Sequence, residues 1–183
     1  MNNQKSWVRV IVVLLLVLTV FAFGGCEDAV EPVAEEKITL DFFAPDAAFE
    51  VAVTIAHMYS AYYPGVEVRI TYDEGATLAA MIEAGYRCDV YLSDNPAYVD
   101  WLDGSVSGQG NPNTNDLVLG ESRKDLMTKP ASEDEAEIRT YSLAAINTSA
   151  HPAEATKFIG YMTDGTCDSV YSEYGFTRVS VEK

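Results

Sequence analysis

The sequence predicts an α/β domain with a mainly parallel sheet, and three observations carry that expectation. Strand-like alternation and helical spacing take turns from residue 38 to residue 102, the pattern of strand–helix–strand units with right-handed crossovers. Turn residues punctuate the joins at Pro64-Gly65, Gly85 and Asn95-Pro96. Lys37 to Lys183, about 147 residues, is enough for one compact domain.

Each element has its own signal. ITLDFF (38–43) alternates and then runs apolar, as a buried strand does. Ala48, Val51, Ala52, Ile55, Tyr59 and Tyr62 recur at helical spacing, and that helix stops before Pro64. VEVRITY (66–72) is a second strand, Thr77 to Ala84 a short helix ending at Gly85, and DVYLS (89–93) a third strand. Pro96 opens a helical turn holding Tyr98, Val99, Trp101 and Leu102. Residues 103–116 then change to a Gly, Ser and Asn loop. DLVLG (116–120) reads as a brief strand, while 121–137 is charged, broken by Pro130, and without period. IRTYSLAAI (138–146) is strand-like. Pro152 opens a helix burying Ala155, Phe158, Ile159 and Met162, and a last helix over 166–174 ends at Gly175.

The N-terminus sets the compartment. Lys5 and Arg9 precede an apolar run from Val10 to Phe23 that only Thr19 interrupts, followed by Gly24, Gly25 and Cys26. That run is short for a membrane span and has the layout of a secretory signal. Cysteine after small residues resembles a bacterial lipobox, with Phe23 standing where leucine is usual. Residues 1–25 are thus expected to be a lipoprotein signal peptide, with Cys26 lipidated; an uncleaved anchor helix is the alternative. Either arrangement puts the rest of the chain outside the cytoplasm. Residues 26–37 read as an acidic tether, with Glu27, Asp28, Glu31, Glu35 and Glu36 among few apolar residues.

The whole chain carries a formal charge of −16, and its leader removes two bases and no acids. Such a surface repels polyanions, so nucleic acid is not an expected partner. Cys88 and Cys167 are an even pair in an exported domain, which permits a disulfide, and neither has metal-ligand spacing. His57 reads as a solvated helix residue and His151 as a loop residue. Ser93-Asp94 with a histidine offers triad ingredients but no nucleophile elbow, so no enzyme is expected. The 11 tyrosines include Tyr59, Tyr62 and Tyr63 at one helix end, suited either to the edge of the core or to an interface.

Binding in such sheets concentrates beyond the carboxyl ends of the strands, here 44–47, 73–76 and 93–95. Asp46, Asp73, Glu74 and Asp94 stand at these ends. Asp46 is placed to cap the first helix, and Asp73 or Glu74 the second. With Asp94, the same carboxylates would suit a hard cation such as Ca²⁺ if they converge.

Two blocks of residues carry a family resemblance. FFAPDAAFEVAVTIAHMYSAYYPGVEVRITYDEGATLAAMIEAGYRCDVYLSDNPAYVDWL resembles the opening of the molybdate-binding proteins of ABC transporters, which are type II periplasmic solute-binding proteins. YSLAAINTSAHPAEATKFIGYMTDGTCDSVYSEYGF resembles their closing strand, helix and Tyr-Gly-Phe. Together the blocks cover about three fifths of the chain beyond the leader, and their order and spacing carry the fold inference. The resemblance implies a three-layer sandwich, a small oxyanion or other small solute as ligand, an ABC permease as partner, and no cofactor.

Two departures qualify it. The family has two lobes, and here only 103–140 stands where the second should be, so 38–183 is expected to be a single lobe with 103–140 a short linker. The family's two serine hydroxyl positions fall on Ala47 and Gly75, which donate nothing, and Asp46, Asp73 and Glu74 now flank them. Each close carboxylate costs a dianion about 1 kcal/mol even in bulk water. The sequence therefore implies a reduced or altered solute-binding protein; the alternative is a surface interaction or cation-binding module that kept one lobe but not transport.

Overall fold

The computed structural model describes residues 37–105, 115–131 and 137–179. The expected signal peptide, Cys26 and the expected tether up to Glu36 lie outside the described residues. Among the described residues no helix is long and apolar enough to cross a membrane.

The chain runs through β1 (Ile38–Pro45), a 3₁₀ turn (Asp46–Ala48), α1 (Phe49–Tyr62), β2 (Val66–Asp73), α2 (Gly75–Glu83), β3 (Val90–Ser93) and α3 (Pro96–Leu102). It continues through β4 (Lys124–Pro130), β5 (Ile138–Ala145), α4 (Pro152–Thr163), α5 (Asp168–Glu173) and β6 (Thr177–Arg178). One six-stranded sheet has the order β2-β1-β3-β5-β4-β6. It separates two cores. Leu40, Phe42, Val90, Leu92, Tyr141 and Leu143 face α1, α4 and α5, while Phe43, Tyr91 and Ala144 face α2 and α3. Successive strand residues belong to opposite cores, as pleating requires, and the result is the expected three-layer α/β lobe.

The sheet itself is mixed, and this corrects the expectation of a mainly parallel one. β1 pairs in parallel with β2 and β3, but β3–β5, β5–β4 and β4–β6 are antiparallel. A parallel neighbour needs a crossover of a dozen or more residues, whereas β4 and β5 are joined only by residues 131–137, which suits a hairpin. β4 is also a strand that periodicity missed. Its register shifts between Asp125 and Met127, so the adjacent Leu126 and Met127 are both buried in the same core. A bulge of this kind erases the alternation by which a strand is read. Pro130 ends β4 rather than breaking it. β4 lies within 103–140, the segment read as a linker, and adds a strand to the lobe's own sheet.

The disulfide that the sequence permits is not formed. Cys88 and Cys167 are free and buried, each in a different core on either side of the sheet. Cys88 Sγ–H donates to Val90 O at 3.3 Å and Cys167 Sγ–H to Tyr161 O at 3.6 Å. Burial pushes the Cys88 thiol well above its ordinary range and Cys167 up to about 12, so both behave as small apolar core residues.

Candidate functional site

The carboxyl ends of β1, β2 and β3 close around a cleft of about 320 Å³. Five of the six candidate ligand residues line it: Asp46, Ala47, Glu74, Gly75 and Asp94. Asp73 does not. Its Oδ1 accepts the Glu74 backbone N–H at 2.7 Å instead, which shapes the turn into α2. Neither Asp46, Asp73 nor Glu74 acts as the expected cap, since neither α1 nor α2 has a side-chain cap hydrogen bond. The helix that is capped is α3, where Asn95 Oδ1 accepts the Ala97 N–H at 3.0 Å.

The head of α2 opens on this cleft, two residues earlier than helical spacing suggests. Gly75 is buried there for a definite reason. A methyl group at this position would lie 2.1 Å from Asp94 Oδ1 and 3.2 Å from its Cγ. The Asp94 carboxylate is therefore packed against the helix start, and its Oδ1 is buried without a hydrogen-bond partner. The protein's own anion occupies the space into which a serine hydroxyl at position 75 would project. Exchanging Ala47 and Gly75 for serine while neutralising Asp73 and Glu74 would thus leave the main obstacle, Asp94, in place.

The turn that presents Asp94 is held from below. Tyr91 Oη donates to the Gly75 carbonyl at 2.8 Å and lies 3.2 Å from Ser93 Oγ. Ser93 Oγ in turn bonds Asn95 O at 2.7 Å and accepts the Asn95 N–H at 3.2 Å. Burial pushes the Tyr91 phenol well above its ordinary range, opposed in part by the Ser93 bond. Tyr91 stays neutral and donates, tying β3 to the first turn of α2.

Arg139 is the cleft residue that sequence reading missed. It lies on β5 and lines the 320 Å³ cleft and an adjoining one of about 430 Å³, both shared with Asp94 and Tyr98. Its charge is felt locally: burial raises the Tyr141 phenol, Asp94 raises it further, and Arg139 lowers it. The only signal in the sequence is a basic residue on a late strand, and nothing there says that β5 returns beside β3. The cleft thus sets Asp46, Glu74 and Asp94 against one guanidinium. Among the described residues, no three of His, Cys, Asp and Glu come together as a metal-ion site.

Against known proteins, the family of bacterial extracellular solute-binding proteins matches over residues 40–133. No curated protein matches the sequence. Among solved structures, the chain is similar to a substrate-binding domain assigned to a molybdenum ABC transporter of Clostridium difficile. That match has TM-score 0.65 and 12% identity over 79% of this chain and 100% of the other. It is also similar to the periplasmic molybdate-binding protein of Azotobacter vinelandii, with TM-score 0.63 and 11% identity over 78% and 100%. A third is iron-bound HitA from Pseudomonas aeruginosa, with TM-score 0.56 and 12% identity over 80% and 87%. At these identities the likeness is one of fold.

Proposed function

Because the chain belongs to the bacterial extracellular solute-binding proteins, we propose that it is the extracytoplasmic binding component of an ABC transporter. In this reading it is anchored by a lipid on Cys26, built on the molybdate-binding plan as a single lobe, and altered in its ligand. The observation that carries the altered ligand is the cleft lining: three carboxylates and one guanidinium stand around the head of α2. Backbone N–H groups at a helix start favour an anion. Here the Asp94 carboxylate already takes up the space at the head of α2, and Asp46 and Glu74 repel a further anion. The lining favours a small solute that brings a cationic or hydrogen-donating group to the carboxylates and an acidic group to Arg139. No catalysis is proposed, and an ABC permease is the proposed partner.

Calorimetric titration tests the ligand. The protein is expected to show no submicromolar binding of molybdate, tungstate or sulfate, and saturable binding with a member of a panel of small amino acids and other zwitterions. Submicromolar molybdate binding would sink the altered-ligand reading. Silence across the whole panel would favour an interaction module that does not bind a solute. The anchor has its own measurement: mass spectrometry of the membrane fraction should find diacylated Cys26 with nothing before it, and a retained leader with an unmodified thiol rules the anchor out.

A further inference from the structure

A second cleft, of about 490 Å³, lies where β1 begins. It stands about 20 Å along the strand from the solute cleft, at roughly 3.3 Å per residue. Its charged lining is entirely basic, made of Lys37, Arg69 and Arg87, and His151 lies beside them. The chain has 12 lysines and arginines against 28 acids, so three of the twelve around one cleft make a local reversal of sign.

Both arginines stand against one buried carboxylate. Asp41, on β1, has a side chain only 4% exposed. Arg69 Nε donates to its Oδ1 at 2.6 Å. Arg87 Nε lies 3.1 Å from Oδ2, within ion-pair range but off the hydrogen-bond axis. Behind them the fully buried Asp89 accepts the Asp41 N–H at 2.7 Å and the Ser149 hydroxyl, which fixes the strand that carries Asp41. The guanidinium groups themselves reach solvent, their side chains being 62% and 55% exposed. One buried carboxylate can neutralise one guanidinium. The second guanidinium and the Lys37 ammonium exceed what Asp41 needs, and Asp89 offsets only one of these two charges.

We propose that this cleft is a second ligand site, independent of the solute cleft, that takes a phosphate group. The chemistry matches. The Arg69 guanidinium, hydrogen-bonded to a buried carboxylate, presents its remaining N–H groups to a phosphate group, and the exposed Arg87 guanidinium and flexible Lys37 ammonium add further donors and charge. Phosphate of this kind is carried both by free phosphate and by the headgroups of anionic lipids.

The test is calorimetric titration of the full-length chain, in mild detergent, with inorganic phosphate and with glycerophosphoglycerol, the soluble headgroup of phosphatidylglycerol. Saturable binding of either probe is expected. Stronger binding of phosphate identifies a free phosphate or monoester site, and stronger binding of the headgroup identifies a membrane-surface site. Arg87→Ala and Lys37→Ala are each expected to weaken binding about tenfold, and Arg87→Lys to weaken it less because it keeps the charge and loses the fork. A Lys157→Ala control, which removes an exposed base outside both clefts, should leave phosphate binding unchanged. Affinity unaltered in an Arg87→Ala/Lys37→Ala double variant with an unchanged melting temperature would overturn the proposal, as would no binding of either probe. Neither result would touch the solute cleft.

Discussion

Phe158→Ala is expected to destabilise the lobe by about 3–5 kcal/mol, the range for truncating a fully buried phenylalanine. Phe158 is completely buried on α4. Its ring meets Phe42 edge-on at 5.2 Å between centroids and Tyr59 at 4.8 Å, so it joins β1, α1 and α4 at one point. Such aromatic pairs add about 0.5–1.5 kcal/mol beyond the area they bury. The lost side chain leaves a cavity walled by other core residues that a single lobe cannot readily collapse. A whole domain is stable by only about 5–15 kcal/mol, so this one change removes a large share. Urea unfolding monitored by circular dichroism measures it: a lower midpoint at unchanged slope is the expected result. A loss under about 1 kcal/mol would mean that α4 does not pack on β1 as described.

Gly75→Ala is expected to destabilise the protein, although alanine normally gains up to about 1 kcal/mol over glycine within a helix. The sign is reversed by Asp94. The added methyl would sit 2.1 Å from its Oδ1, and overpacking of this kind costs about 1–3 kcal/mol. Asp94→Ala in the same chain removes the obstacle, so the double variant should recover most of the loss, with a coupling of at least about 1 kcal/mol in a double-mutant cycle. Gly75→Ser combined with Asp94→Ala goes further. It places a hydroxyl at the head of α2 and clears the space before it. A hydrogen bond to a charged group is worth about 1.5–3 kcal/mol, so molybdate affinity should rise at least roughly tenfold over the unaltered protein. Gly75→Ala proving as stable as the parent with Asp94 intact would show that Asp94 swings freely away, and the account of an occupied anion position would fall.

These two expectations differ in how much of them the sequence carried. Phe158 was legible as a core residue because it recurs at helical spacing with Ala155, Ile159 and Met162, and a buried helix face leaves that mark. Asp94 was legible only as an acid at the end of a strand. That its carboxylate lies on Gly75 depends on how the β3–α3 turn folds back, which Tyr91, Ser93 and Asn95 fix through hydrogen bonds that have no period. Arg139 was not legible at all, because β5 reaches the cleft by running antiparallel beside β3. The same holds for Asp41, whose partners Arg69 and Arg87 come from a neighbouring strand and from the turn before β3.

The pattern of residues by itself determined the α/β class, most of the helices and the strands β1, β2, β3 and β5. Each of these follows from periodicity or from turn residues, which act between neighbours along the chain. Tertiary structure alone decided the mixed sheet, the bulged β4, the separation of Cys88 from Cys167, the burial of Asp94 against Gly75, and the arrival of Arg139. All of these depend on which distant segments pair. Pairing is set by competition among long-range contacts over the whole lobe, and no local pattern of residues records its outcome.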